Sequence, residues 1–246
     1  MRIHKSANAG ELGVAAATEG AEALVSAIEA RGHGSIVLAT GASQFATLEN
    51  LRAFSQIDWS KVTAFHLDEY VGLSVDHPGS FVRYLEERFR RHVPALREFV
   101  FIDGTAADAE RECDRLGERI SKVGVDVAFI GIGENAHLAF NDPPADFDTR
   151  RPYHVVELDA ACRRQQFTEG WFASIDDVPT RAISMSIHQI LQCRKLVVSV
   201  PDERKAPAVR CAVEGPVTNQ CPASILRSHS DCSLFLDEAS ATLLTG

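Results

Sequence analysis

The chain has six cysteines, at Cys113, Cys162, Cys193, Cys211, Cys221 and Cys232, yet no Cys-x-x-Cys pair. That scatter excludes a paired-cysteine zinc framework, and a chain of this size does not need a disulfide scaffold. The expectation is reduced, mostly buried thiols in a cytoplasmic protein. No apolar run approaches the ~20 residues that span a bilayer. Glu11 and Glu19 interrupt the N-terminal stretch where a signal peptide would need an apolar core. Positive charge is also scarce: the formal net charge is −9 and the pI about 5.5. Neither a membrane nor a nucleic acid is therefore expected as the main partner, and any anion must be met by a few local basic groups. Two common signatures are missing as well, the G-x-x-x-x-G-K-[ST] phosphate loop and the G-x-S-x-G nucleophile elbow.

What remains is an ordinary globular composition, 45% hydrophobic and 24% charged over 246 residues. Val14, Ala17, Ala21, Leu24 and Ile28 recur at three- and four-residue steps and predict a helix from about Gly10 to Arg31, closed by Gly32. A strand over Ile36–Ala39 follows, then a helix over Gln44–Phe54 and a strand over Val62–Leu67. His77–Val93 reads as a helix with Phe81, Leu85, Phe89 and Val93 on one side. Phe99–Ile102 reads as a strand. Ala109 to Val123 forms another helical stripe, and Val125–Ile130 a buried strand. Further strands are expected at Tyr153–Leu158, Ala182–Ser186, Lys195–Val200 and Ser233–Leu236, with a helix over Asp202–Glu214 and a terminal helix. Alternation of this kind means an α/β fold, a mostly parallel sheet with helices on both faces. No repeat or low-complexity linker divides it, so one domain over residues 1–246 is expected.

Ligands in such folds bind beyond the carboxyl ends of the strands. Four polar clusters follow strands here. Thr40-Gly41-Ala42-Ser43 offers free backbone N–H groups, two hydroxyls and a helix N-terminus, which together suit an anion; it is equally a plain turn capped by Ser43. Asp68-Glu69 puts carboxylates at a strand's end, where one can act as a base or merely cap a turn. A divalent metal is not expected there, because other hard-oxygen ligands are not evident. Lys205 stands at the start of a helix after a buried strand, and Arg163 and Arg164 form a second basic candidate.

The fourth cluster is the richest. GIGENAHLAFNDPP, Gly131 to Pro144, leaves a buried strand through two glycines and presents Glu134, Asn135, His137, Asn141 and Asp142. Gly131, Gly133 and Ala136 spell the dinucleotide pattern G-x-G-x-x-A. Asn141-Asp142 and Pro143-Pro144 forbid the long helix that this pattern must open, so no nicotinamide cofactor is expected. As a catalytic loop it fits better. His137 can take and give a proton near neutral pH, with Asp142 placed to orient its ring.

Taken in order, LATGAS, FHLDEYVGLSVDHPGSF, GIGENAHLAFNDPP and PDERKAPAVRCAVEGP resemble the glucosamine-6-phosphate deaminase (isomerase) family, over roughly Met1 to Ser240. The related 6-phosphogluconolactonases share a similar Gly-Gly-His loop. The resemblance implies a Rossmann-like three-layer fold, an amino-sugar phosphate substrate, no cofactor and no catalytic metal. It implies that Thr40 to Ser43 hold the phosphate with Lys205, that Glu69 and Arg164 line the same site, and that Asp68 moves a proton between sugar carbons. His137, oriented by Asp142, would open the sugar ring. Family members are often homo-oligomers. The sequence departs from the family pattern, first at Asp142, where the family usually has Glu. The family's Asp-Gly-His reads Asn135-Ala136-His137, and its phosphate-binding arginine falls at Gln166. Pro152 and His154 stand where effector-regulated members carry basic residues, so no such effector site is expected. A lactonase and a non-catalytic sugar-phosphate sensor remain the alternatives.

Overall fold

The computed structural model describes residues 1–245. In chain order they form β1 (Arg2–Ser6), α1 (Ala9–Arg31), β2 (Gly34–Leu38), α2 (Phe45–Arg52), β3 (Val62–His66), β4 (Asp68–Tyr70) and α3 (Phe81–Arg88). The second half continues with β5 (Glu98–Val100), α4 (Ala109–Val123), β6 (Val127–Ile130), β7 (Tyr153–Glu157) and α5 (Ala160–Thr168). It ends with β8 (Arg181–Met185), α6 (Ile187–Leu191), β9 (Lys195–Val200), α7 (Ala206–Glu214) and β10 (Cys232–Asp237).

Seven strands make a wholly parallel sheet in the order β1-β10-β9-β6-β2-β3-β5. The central strands are buried along their whole length, as parallel strands covered on both faces must be. Alternate residues serve opposite layers. Ile36 and Leu38 of β2 pack with α1 residues such as Leu24 and Ile28, whereas Val37 packs with Leu116 and Ile120 of α4. From β2 the chain moves outward through β3 to β5. It then returns to the other side of β2 with β6 and continues through β9 and β10. The strand order therefore reverses between β2 and β6, and a crevice opens at their carboxyl ends.

A second, antiparallel sheet, β4-β8-β7, was not visible as such in the sequence. Beside it Tyr70, Phe81, Phe140 and Phe172 form an aromatic cluster with ring centroids 5.1–5.6 Å apart. Asp68-Glu69 is thus a short strand and not a turn.

Other expectations need correction. Val14 is half exposed; the buried stripe of α1 begins at Leu12 and includes Ala16 and Ala17. The helix expected from His77 starts only at Phe81, because Ser80 caps it, its hydroxyl accepting from the Arg83 N–H. The terminal helix is absent among the described residues: Ser240 folds back on Asp237, its N–H donating to the carboxylate at 2.8 Å. The N-terminal strand β1 went unpredicted, since an edge strand of sequence RIHKS has little apolar signal. Cysteine pairing also differs. Cys211 and Cys221 form a disulfide across ten residues, brought together where the chain turns back after α7, while the other four thiols are free and buried.

Candidate active site

A cavity of about 440 Å³ lies at the strand-order reversal, beyond β2, β6 and β9. Its lining includes Thr40–Ser43, Asp68, His137 and Lys205, so four separate clusters of the sequence converge on one space.

At one end the turn after β2 is held open by Gly41, whose φ of +92° favours glycine. Its carbonyl accepts a 2.8 Å bond from the Tyr84 hydroxyl. The Gln44 amide ties this turn to the next by donating to Ser43 Oγ (3.1 Å) and to the Ser199 carbonyl of β9 (3.2 Å). The turn after β9 brings Lys205. Asp202, at φ +89°, begins a 3₁₀ turn over Glu203–Lys205, with its side chain accepting from the Arg204 N–H. Lys205 is only 5% exposed, and its side chain makes no hydrogen bond or ion pair among the described residues. Burial lowers its pKa, opposed by the charges of Glu169 and Glu134. A buried ammonium without a partner is costly, and a bound anion would relieve that cost.

At the other end Asp68 and Glu69 have opposite situations. The Asp68 carboxyl faces the cavity, and burial, followed by repulsion from Glu69, pushes its pKa well above the usual carboxylate range. Glu69 does not line the cavity. Its carboxylate accepts from Tyr70 N–H (2.9 Å), the Ser80 hydroxyl (2.7 Å) and Val82 N–H (2.8 Å). Burial raises its pKa despite those bonds. Glu69 therefore fixes the start of α3, which corrects its assignment as a ligand group.

The loop Gly131–Pro144 is shaped around His137. A Cβ at Gly133 would collide with the imidazole, so glycine is needed there for close approach and not for a cofactor. His137 Nδ1 is 3.0 Å from Asp142 Oδ1. Burial would raise the Asp142 pKa, but the bond and charge of His137, with further bonds from Asn135 and the Asp159 N–H, hold it below the ordinary value. Asn135 is more than a substitute for an acid. Its Nδ2 donates to Asp142 (2.9 Å) and lies 3.4 Å from Asp159 Oδ2, while its Oδ1 accepts from the His137 N–H. It thus separates two aspartates with a donor that an aspartate would lack.

Arg164 does not reach the cavity; it lies exposed on α5. Arg163 is spent on the Val178 and Ile175 carbonyls. The side of α5 that does line the cavity carries Gln165 and Gln166, with Glu169 following. Arg204 also lines it. The helix phase of a polar segment without an apolar stripe hid the first three, whereas Arg204 adjoins Lys205 and could have been found from that position. Among the described residues, His137, Asp142 and Cys162 bring potential metal-ligand atoms within 4.8 Å of one another. The His137 nitrogen and the Asp142 oxygens are already engaged with each other, Asn135 and the Asp159 N–H, so these two ligand groups belong to a hydrogen-bonded network.

No helix among the described residues is long and apolar enough to cross a membrane. A glucosamine-6-phosphate deaminase of Exiguobacterium sibiricum is 40% identical over 210 residues, covering 85% of this chain and 81% of its own. Another, from Lactobacillus delbrueckii subsp. bulgaricus, is 36% identical and covers 99% of this chain and all of its own. A solved structure described as a monomeric glucosamine-6-phosphate deaminase superposes with a TM-score of 0.90 at 32% identity, covering 99% of this chain and 100% of that one. A 6-phosphogluconolactonase from Shewanella baltica, at 21% identity and a TM-score of 0.81, covers 96% of this chain and 97% of its own and shares the fold. Residues 7–235 match the model of one family, and the chain belongs to it: the glucosamine-6-phosphate isomerases and 6-phosphogluconolactonases.

Proposed function

We propose that this protein converts glucosamine 6-phosphate, or a closely related 2-amino-2-deoxyhexose 6-phosphate, to a ketose 6-phosphate and ammonia. The observation that carries the reading is one cavity lined by a buried carboxyl, the histidine of a His–Asp pair and a largely buried lysine with no hydrogen-bond partner among the described residues. The lysine and the Thr40–Ser43 turn hold the phosphate, and that remote binding energy positions the sugar. His137 shuttles the proton that opens the ring, with Asp142 holding the imidazole in place. Asp68 then removes the proton from the second carbon and returns it to the first. The resulting imine at the second carbon is hydrolysed by water, which leaves a ketone and releases ammonia. Ionised Asp68 is the active form, so its raised pKa makes turnover increase with pH through that value. A sugar phosphate does not cross a bilayer unaided, which supports a cytoplasmic site of action.

The test is ammonia release from purified protein with glucosamine 6-phosphate and with galactosamine 6-phosphate. Release from either, at a rate tracking Asp68 ionisation, is the expected result. Binding of both sugars without turnover would make the protein a sensor, and hydrolysis of a phosphorylated sugar lactone alone would make it a lactonase.

A further inference from the structure

Lys205 supplies one positive charge to a ligand whose phosphate carries close to two negative charges at neutral pH. The cavity that receives it is otherwise acidic, with Asp68, Glu169, Asp202 and Asp237 all in its lining. A dianion there needs a second cation. Among the described residues, the imidazole of His137 apart, Arg204 and Lys205 are the basic side chains that line the cavity. They are consecutive residues of one 3₁₀ turn.

The guanidinium of Arg204 is only partly used. Asp202 takes one edge: Nε is 3.3 and 3.1 Å from its two carboxylate oxygens, and Nη2 is 2.7 Å from Oδ2. That grip is local, since Asp202 is itself fixed by its N–H, 3.2 Å from each Asp237 oxygen. The remaining Nη1 has a loose partner, Glu134 Oε1 at 3.5 Å. Half of the Arg204 side chain is still exposed. An arginine braced on one edge and open on the other is suited to clamp a phosphate. The α5 wall cannot do this, because it presents the neutral Gln165 and Gln166.

We propose that Arg204 is the second cationic ligand of the substrate phosphate, braced by Asp202 and completing the charge that Lys205 begins. This rests on the sugar-phosphate reading, which it deepens by assigning the phosphate's second contact to the β9 side of the cavity.

The experiment compares wild-type protein, Arg204→Gln, Arg204→Lys and the double variant Arg204→Gln/Gln166→Arg. Two readouts are taken: steady-state deamination, and the affinity for inorganic phosphate from calorimetry. Arg204→Gln is expected to raise KM and weaken phosphate binding by roughly tenfold to a hundredfold, with kcat changed little. Arg204→Lys should fall between, and arginine at position 166 should restore part of both losses from the opposite wall. Unchanged KM and phosphate affinity in Arg204→Gln would overturn the proposal, as would a loss confined to kcat. If wild-type protein releases no ammonia but binds phosphate through Arg204, the reaction assignment fails and the Arg204 site stands. Absence of phosphate binding by wild-type protein would overturn the Arg204 site directly.

Discussion

At the histidine end of the cavity the polar groups that surround the imidazole have partners within the protein. His137 is bonded to Asp142, Asp142 to Asn135 and the Asp159 N–H, and Asn135 to the His137 backbone. At the opposite end the Lys205 ammonium has none among the described residues. The difference follows from what each end does. Proton transfer needs a geometry fixed in advance, so the groups around His137 are oriented before any ligand arrives. Anion binding needs unspent charge, so the turn after β9 is left electrically incomplete and the ligand completes it. The second arrangement destabilises the empty protein, as does the buried Asp68.

The largest expected effect breaks the reacting end alone. Asp68→Asn should lower kcat by roughly 10²–10⁴-fold and leave KM nearly unchanged, measured as ammonia release. The same change should stabilise the fold at neutral pH. The folded Asp68 carboxyl has a pKa raised above its unfolded value, so the folded state prefers the proton. Stability is thus unaffected below the ordinary aspartate pKa and is lost as pH rises from there through the folded value. Thermal melts should show a higher Tm for Asp68→Asn at about pH 7, with the gain vanishing near the ordinary aspartate pKa of about 4. Full turnover in this variant would remove Asp68 from the chemistry.

Lys205→Met should act at the other end and in the other parameter. KM is expected to rise roughly tenfold to a hundredfold, the worth of a hydrogen bond to a charged group, with a smaller change in kcat. Without ligand the variant should melt higher than wild type, because an ammonium whose burial outweighs the attraction of Glu169 and Glu134 is gone. Addition of inorganic phosphate, which should raise the wild-type Tm, should raise that of the variant much less at the same concentration. A variant that keeps its phosphate-induced shift would show that Lys205 faces the cavity without serving it.

The parallel sheet, and the convergence of four post-strand clusters, were legible because buried parallel strands are continuous apolar runs and their ends carry the polar residues. Lys195–Val200 was located to the residue on that basis. The antiparallel sheet was not legible: β4 is three residues long and its partner β8 lies over a hundred positions away. Adjacent residues could not be sorted either. Asp68 and Glu69 look alike in sequence, and alternation along β4 sends one into the cavity and the other to the start of α3. Arg164 and Gln166 were likewise exchanged by the helix phase of a segment with no apolar stripe to set it.

Asn135 tests the histidine end more finely and with the smallest effect. It sits between Asp142 and Asp159, and the latter caps α5 by accepting from the Cys162 N–H at 2.6 Å. Asn135→Asp would bring a third carboxylate against two and remove the donor that separates them. The expected result is a Tm lower by several degrees at neutral pH, a cost of about 1–3 kcal/mol, recovering as acid protonates the cluster. If the cost comes from Asp159, then Asn135→Asp combined with Asp159→Asn should regain at least half of the lost Tm. An asparagine at position 159 can still cap α5 and can donate to the new carboxylate. Equal losses in the single and double variants would mean that Asp142 alone opposes the acid. In that case the amide at position 135 serves the His137 pair directly and leaves α5 out of it.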